Sequence, residues 1–173
     1  MNTINTTSEP ATHYPDHRAV YRLIARRSYG ILSTVSSNGN PHAAGVVYEL
    51  VGNDLYVNTR RTSRKARNIA HQSKVAMVVP IRRVPVGGPP SAVQFQSTAH
   101  LLRPQDSGIM ELLAEGHLKS ITSHGELDLP DTCFVRIGLP SRLHTYGLGM
   151  PLLELIRHPL DGAGLVEGAL ADA

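Results

Sequence analysis

Apolar positions near the start of the chain recur with the period of a helix. Val20, Leu23 and Ile24 lie on one face of the segment 17–28, and the arginines of that segment fall on other faces. This spacing predicts an amphipathic helix. Asp16 stands where a helix N-cap residue is expected, because its side chain can accept a hydrogen bond from the first turn.

From residue 29 onward, short apolar and β-branched segments alternate with turn residues, which is typical of β-strands. The pair Asn38-Gly39 predicts a tight hairpin turn because both residues tolerate positive φ. The turn joins strands over 29–35 and 41–50, and a third strand over 55–59 completes a predicted antiparallel meander. Further strands are predicted over 75–81, 92–102, 132–138 and 143–146.

Six or so short strands with few helices predict a mainly β fold, in which an antiparallel barrel is covered by peripheral helices. Helices are expected over 63–72 and 105–121. A chain of 173 residues suffices for one such domain, which we assign to residues 16–158. Residues 1–15 and 159–173 lack a regular period, so we expect a flexible N-terminal arm and a flexible C-terminal tail.

Composition narrows the class of protein. Apolar residues make up 41% of the chain and charged residues 18%, which is typical of a globular protein. The one cysteine, Cys133, excludes an internal disulfide and is expected to be a buried strand residue. The sequence has no signal-peptide pattern and no apolar run of membrane-spanning length, so we expect a soluble, cytoplasmic protein.

The densest positive charge lies where the third strand ends and the next helix begins. Five cations fall within eight residues there: Arg60, Arg61, Arg64, Lys65 and Arg67. Cations oppose the helix dipole at a helix N-terminus, so their clustering indicates an anionic partner, and Ser63 adds a hydroxyl at the N-cap. We therefore predict a phosphate site. The alternatives are a solvated helix start and a nucleic-acid contact, but a net charge of only +3 argues against nucleic acid.

Other chemistry finds little support in the sequence. The nine histidines are spread along the chain and no Cys/His metal spacing is present, so no metal site is expected. Neither the Gly-x-Ser-x-Gly elbow of hydrolases nor the Gly-x-Gly-x-x-Gly loop of dinucleotide-binding sheets occurs.

The order of these features resembles the pyridoxamine 5′-phosphate oxidase-like family, whose members are split barrels that bind flavins or deazaflavins. The resemblance rests on the hairpin, on the strand ending Asn58-Thr59, on Ser63-Arg64-Lys65 and on the strand ending Ser97-Thr98-Ala99, and it covers about residues 20–147. It implies a homodimer with the cofactor bound across the interface and the cofactor phosphate held by Arg64 and Lys65. The implied cofactor-binding residues are Ala44, Gly45, Val46, Val47, Tyr48, Asn58, Thr59, Ser63, Arg64, Lys65, Gln94 and Gln96, of which the two glutamines would reach the cofactor of the other subunit.

The chain also departs from the oxidase pattern. The oxidase tends to carry Arg at the position of Ala44 and Lys at that of Glu49, and its late Trp has no counterpart because the chain lacks Trp. The tripeptide Arg142-Leu143-His144 resembles the Arg-x-His that binds substrate phosphate in the oxidase, and the segment 143–148 is similar to the closing strand of deazaflavin-binding members. We take Arg142, His144 and Tyr146 as substrate-side candidates.

These features predict an oxidoreductase that depends on FMN or, as the alternative, on a deazaflavin, and that transfers hydride to or from a small organic substrate. Its catalytic residues are not identified by the sequence. A non-catalytic flavin or haem binder, or a sensor of the same fold, is the second hypothesis, with haem the less favoured ligand. Vitamin B6 oxidation is a minority interpretation. We expect neither nucleic acid nor a membrane as partner.

Overall fold

The computed structural model describes residues 15–81 and 89–168, which form nine strands and four α-helices. The strands are β1 (Tyr29–Val35), β2 (Pro41–Val47), β3 (Glu49–Val51), β4 (Asp54–Arg60), β5 (Lys74–Ile81), β6 (Ser91–Leu102), β7 (Thr132–Gly138), β8 (Arg142–Tyr146) and β9 (Ala163–Glu167). The α-helices are α1 (His17–Ala25), α2 (Arg64–His71), α3 (Ser107–Ala114) and α4 (Leu152–Arg157). Short 3-10 helices lie at Lys119–Ile121, Glu126–Asp128 and Pro159–Gly162.

The strands pair antiparallel in one sheet that curls until its ends meet. Its order is β2-β1-β5-β6-β7-β4-β3, and the terminal strands β2 and β3 are consecutive in the chain, separated only by Tyr48. The long strand β6 belongs to both halves, because residues 92–94 pair with β8 and residues 99–102 pair with β7. The molecule is therefore a split barrel, and the predicted fold class is confirmed.

The interior of the barrel is one apolar core closed by helices. Val20 and Ile24 of α1 are fully buried in it, and Ile69 of α2 joins the same core. The side chain of Asp16 accepts a hydrogen bond from the Ala19 N–H at 2.7 Å, which confirms the predicted N-cap. A second cluster lies on the outer face of β4 and β7, where α3 and the 3-10 helix after it cover Phe134.

The predicted second strand, 41–50, is divided in the structure. The Tyr48 side chain turns into the core and its hydroxyl donates to the Ile24 carbonyl at 2.8 Å, while its N–H donates to Ser28 at 2.8 Å. At Tyr48 the chain passes from β2, which pairs with β1, to β3, which pairs with β4. The predicted meander neighbours are confirmed, because residues 41–47 pair with β1 and residues 49–51 pair with β4, while β4 takes β7 as its other neighbour.

The predicted long helix over 105–121 is also divided. The helix α3 ends in a Schellman motif, in which the His117 N–H donates to Leu112 O at 2.8 Å and the Gly116 N–H to Leu113 O at 3.1 Å. Gly116 has a φ of +87°, a conformation that glycine adopts without steric cost. The chain therefore turns here and resumes as the 3-10 helix at Lys119–Ile121.

The expectation of a flexible tail from residue 159 is wrong for its described part. Residues 163–167 form β9, which pairs with β8 from Tyr146 to Arg142. Val166 is buried against the barrel. This one apolar side chain fixes a segment in which the sequence showed no regular pattern of apolar residues. Residues 169–173 and the predicted arm up to residue 14 lie outside the described residues. None of the described helices is long and apolar enough to cross a membrane.

Candidate functional site

The helix α2 begins as the sequence predicts. Ser63 is its N-cap, in an extended conformation, and the Ser63 hydroxyl accepts a hydrogen bond from the Ala66 N–H at 3.3 Å. The Arg67 N–H is bonded to the Ser63 carbonyl at 3.0 Å. The N–H groups of Arg64 and Lys65 lie in the first turn of α2, where the helix has no carbonyl to accept their hydrogen bonds. They therefore remain available to an external acceptor.

Three predicted residues come together beside this helix start. The Lys65 ammonium donates to the Thr59 hydroxyl at 3.1 Å, and the Thr59 hydroxyl lies 3.2 Å from that of Ser63. We call these three side chains the hydroxyl–lysine cluster. Within the described parts of the chain, no carboxylate lies within ion-pair distance of Lys65. A half-buried ammonium with only hydroxyl partners has an unneutralised charge, which suits an anion.

The arginines of the predicted cluster surround it from the solvent side. The side chains of Arg60, Arg61, Arg64 and Arg67 are all exposed. Asp131 is the acid near them, with Arg60 at 4.0 Å and the Thr62 hydroxyl donating to it at 2.8 Å. Arg64, predicted to hold phosphate with Lys65, is therefore outside the hydrogen-bonded cluster and would reach an anion only from solvent.

Cys133 lies directly beneath the hydroxyl–lysine cluster, paired with Thr59 across β4 and β7. It is a free, buried cysteine, as predicted. Burial raises the pKa of its thiol, and the nearby Arg61 opposes this only partly. The thiol is consequently neutral and unreactive, so it acts as a small apolar support for the strand.

Strand β2 places its predicted residues on two different faces. The side chains of Val46 and Tyr48 are buried in the core, so these residues could contact a cofactor only through their backbone. Gly45 and Val47 face outward, and Ala44 is half-buried on the inner side. The Tyr29 ring lies against Gly45, since a Cβ there would meet the Tyr29 hydroxyl at 2.6 Å.

Asn58 is separated from Thr59 by the alternation of the strand. Thr59 points to the side of Leu55 and Val57, whereas Asn58 points with Tyr56 toward the face that α3 partly covers. Its side-chain nitrogen Nδ2 is buried without a hydrogen-bond partner in the described residues. The side chains of Asn58 and Thr59 therefore cannot contact one phosphate together.

A second group of predicted residues lines an open cleft of about 530 Å³ on the outer face of β5, β6 and β8. It joins Gln94 and Gln96 to Arg142 and His144, because His144 pairs with Gln94 across β6 and β8. The walls also include residues that the sequence did not single out, among them Met77, Phe95 and Pro140. Only strand pairing brings these together, since no local motif links them.

Two further predicted positions lie elsewhere. Tyr146 is half-buried at the far end of β8 and its hydroxyl donates to the Pro159 carbonyl at 3.1 Å, outside the residues that line the cleft. Glu49 turns away from the barrel toward the segment after α3. Its carboxylate accepts hydrogen bonds from the Leu118 N–H at 2.6 Å, the Ser120 N–H at 3.2 Å and the Ser120 hydroxyl at 2.5 Å.

Comparison with solved structures finds the same fold at low sequence identity. The haem storage protein HutZ from Vibrio cholerae aligns at 17% identity and a TM-score of 0.64, over 77% of this chain and 96% of that one. A pyridoxamine 5′-phosphate oxidase-related, FMN-binding protein from Nostoc punctiforme aligns at 17% identity and a TM-score of 0.54, over 78% and 84%. A FAD-binding protein from Mesorhizobium loti aligns at 15% identity and a TM-score of 0.59, over 73% and 90%.

Comparison with curated protein sequences gives no significant match. Comparison with protein families gives one match, and it agrees with the predicted resemblance. The model for pyridoxamine 5′-phosphate oxidase matches residues 17–137, which is more than half of the chain and runs from α1 to the end of β7. The matched range contains the whole hydroxyl–lysine cluster and the strands that support it. The chain therefore belongs to the pyridoxamine 5′-phosphate oxidase family.

Proposed function

We propose that the protein is a flavin-dependent oxidoreductase that binds the phosphate of FMN at the hydroxyl–lysine cluster. The observation that carries the proposal is the Lys65 ammonium, which is held by the Thr59 hydroxyl and lacks a carboxylate partner among the described residues. A phosphate placed there would receive a charge-assisted hydrogen bond from Lys65 and further bonds from the free N–H groups of the helix start. The family membership supports the same assignment.

When bound, the flavin supplies the hydride chemistry, and the chain itself positions it and shapes its surroundings. Lys65 and Ser63 fix one end through the phosphate. The flavin ring system would contact backbone groups of β2 and β4. The side chains of Val46 and Val57 are buried in the core, so these residues can offer the ring only their peptide N–H and C=O groups. Because the flavin would supply the chemistry, the site does not need a protein acid–base pair.

The outward face of the barrel supports the proposal of a homodimer. Tyr29 and Val47 are each 51% exposed and pair across β1 and β2, and Val35 is 37% exposed at the other end of β1. Apolar side chains in such a group are typical of a surface that a partner covers. Gln94 and Gln96 share this outward face through β5. A second subunit on the face would therefore bring its cofactor toward these glutamines.

The cleft of Arg142 and His144 is our candidate for the substrate side. Both side chains are exposed on one face of β8, and the cleft is open to solvent. The Arg142 guanidinium is paired with Glu167 through its Nε at 3.0 Å, and its other N–H groups would bind an anionic group of a small substrate. The imidazole would donate or accept a hydrogen bond beside it.

Among flavin-type cofactors, FMN is our first choice and a cofactor with a longer anionic tail is the alternative. The exposed Arg60, Arg61 and Arg67 stand next to the cluster without being part of its hydrogen bonds. They would suit the extra charge of a deazaflavin tail or of a second phosphate. Side-by-side titration with FMN, FAD and a deazaflavin, at low and high salt, would separate these choices.

The first experiment is an absorbance spectrum and mass analysis of the purified protein, followed by titration with FMN. We expect flavin binding in the wild type and a loss of about 1–3 kcal/mol of binding free energy in Lys65→Ala, because a charge-assisted hydrogen bond is removed. Lys119→Ala is the matched control, since Lys119 is exposed on the 3-10 helix beyond α3. Equal affinity of the two variants would exclude Lys65 from the site.

A non-catalytic haem or flavin carrier remains the second candidate function. It is favoured by the open cleft in which an exposed imidazole, that of His144, stands beside the guanidinium of Arg142. An imidazole can ligate haem iron and a guanidinium can pair with a propionate. Haem titration followed at the Soret band, with His144→Ala as the variant, tests it. A steady-state assay with flavin-loaded protein then separates an enzyme from a carrier, because only an enzyme turns over an electron donor and acceptor.

A further inference from the structure

A second polar cleft lies on the other side of Pro140 from the Arg142 cleft. Its volume is about 380 Å³, and it is formed where β6, β7 and β4 meet beyond the cover of α3. Its lining carries three groups that can be charged: Asp54, His100 and Arg136. None of them belongs to the hydroxyl–lysine cluster or to the substrate-side candidates.

Arg136 and His100 form a donor pair on one wall of this cleft. They are direct cross-strand partners on β7 and β6, so their side chains leave the sheet on the same face about 5 Å apart at the Cβ atoms. The Arg136 guanidinium hydrogen-bonds the hydroxyl of Tyr56, its partner on the opposite strand. That bond holds the guanidinium in place without neutralising it, because burial keeps the phenol protonated by raising its pKa.

Asp54 supplies the opposite charge in the same cleft. It pairs with Gly138, two residues along β7 from Arg136, and its side chain is half-buried. Asp54 is therefore a diagonal cross-strand neighbour of Arg136 on the same face of the sheet, and such neighbours lie about 7–8 Å apart. In the described parts of the chain neither group is in an ion pair. A Cβ at Gly138 would lie 3.6 Å from the Asp54 carboxylate oxygen, so that carboxylate is directed toward Gly138.

We propose that this cleft binds a small zwitterion whose carboxylate contacts Arg136 and His100 and whose ammonium contacts Asp54. A ligand that contacts both Arg136 and Asp54 needs two separated charges, as in a short ω-amino carboxylate, because these side chains lie on neighbouring strands and are not in an ion pair among the described residues. The Ser97 hydroxyl is already bonded to the Gly138 carbonyl at 2.5 Å and helps to fix the wall. The three charged groups of this site are separate from the hydroxyl–lysine cluster, although Gln96 lines both this cleft and the Arg142 cleft.

The test uses 4-aminobutanoate as the probe in an NMR titration of the full-length purified protein with its backbone amides assigned. We expect saturable shifts in residues 96–100 and 136–138. Butanoate lacks the ammonium and butylammonium lacks the carboxylate, so each should bind about tenfold more weakly, since each loses one charge-assisted contact.

Variants assign the contacts and separate this cleft from its neighbour. Arg136→Gln and Asp54→Asn should each weaken 4-aminobutanoate about tenfold, whereas Arg142→Gln, in the other cleft, should leave its affinity unchanged. Because Arg136 also contacts Tyr56, the Asp54 variant keeps the test valid if Arg136→Gln fails to fold. Equal binding of the three probes, shifts centred on Arg142 and His144, or no saturable shift would each overturn the proposal. Lys65→Ala, which tests the flavin site, should not alter this titration.

Discussion

Glu49 stands where the oxidases that this chain resembles tend to carry lysine, yet its carboxylate serves the segment after α3. It accepts three hydrogen bonds from Leu118 and Ser120. Leu118 has a φ of +63°, a conformation that costs a side-chain-bearing residue about 1 kcal/mol or more. The carboxylate fixes this unfavourable turn and so holds the fully buried Leu118 in the outer cluster.

Glu49→Ala should therefore destabilise the protein by about 1.5–3 kcal/mol, because it leaves two backbone N–H groups without their charged acceptor. Urea denaturation followed by circular dichroism measures the loss. Glu115→Ala is the matched control, since Glu115 is exposed and its carboxylate lies 3.9 Å from the His117 imidazole. A Glu49→Ala midpoint equal to that of the control would show that the carboxylate adds nothing to stability.

At the scale of elements, α2 combines two roles at its first turn. Ser63 caps the helix and also belongs to the hydroxyl–lysine cluster. A cap needs only an oxygen acceptor, whereas a phosphate site needs the absence of negative charge. The two roles can therefore be separated by a substitution that keeps the acceptor and adds a charge.

Ser63→Asp should preserve the stability of the protein and weaken FMN binding about tenfold or more. Aspartate is as good an N-cap as serine and is favoured by the helix dipole, but its carboxylate would repel a phosphate. Thermal unfolding and flavin titration measure the two effects. Ser63→Ala, which loses the cap, should instead lower stability by about 1 kcal/mol. Unchanged FMN affinity in Ser63→Asp would contradict a phosphate at this helix.

At the scale of the whole molecule, the outward apolar face of β1 and β2 is the proposed dimer interface. Val47→Lys should yield a monomer by placing a charge in the proposed interface, because an unpaired buried charge is costly. Sedimentation or light scattering measures the mass. Leu153→Lys is the matched control, since Leu153 is 54% exposed on α4, away from that face. A Val47→Lys protein with wild-type mass would exclude this face as the interface.

Burial of Tyr48 in the barrel core makes the stability of the folded protein depend on pH. Burial raises the pKa of Tyr48 above its ordinary value of 10.0, against a smaller opposing effect of Arg27. Below pH 10 the Tyr48 phenol is protonated in both the folded and the unfolded protein, so Tyr48 makes its full contribution to the free energy of unfolding. Above it only the unfolded phenol loses its proton, and stability falls with pH by up to about 1.4 kcal/mol per unit.

Tyr48→Phe should make the alkaline loss of stability shallower, because the group that ionises on unfolding is removed. Urea denaturation at a series of pH values on either side of 10 measures the slope. At neutral pH the variant should be less stable than wild type by about 1 kcal/mol, since the bond to the Ile24 carbonyl is lost. Parallel curves for variant and wild type above pH 10 would refute the prediction.

The sequence by itself determined the features that depend on neighbouring residues. Alternation marked the two faces of β6, Asn38-Gly39 marked the first hairpin, and Asp16 and Ser63 marked the starts of α1 and α2. The cations at the start of α2 indicated an anion site, and its hydroxyls and Lys65 do lie together. These signals are readable because each arises from local geometry.

The tertiary structure alone decided what depends on distant partners. The predicted strand 41–50 is divided at Tyr48, whose hydroxyl is bonded to the distant Ile24 carbonyl, and β9 is a strand because β8 offers it a free edge. The cleft of Arg136 and Asp54 exists only because β4 and β7 are neighbours. Such contacts join residues far apart in the chain, so their energy is set by the closed barrel and leaves no local pattern.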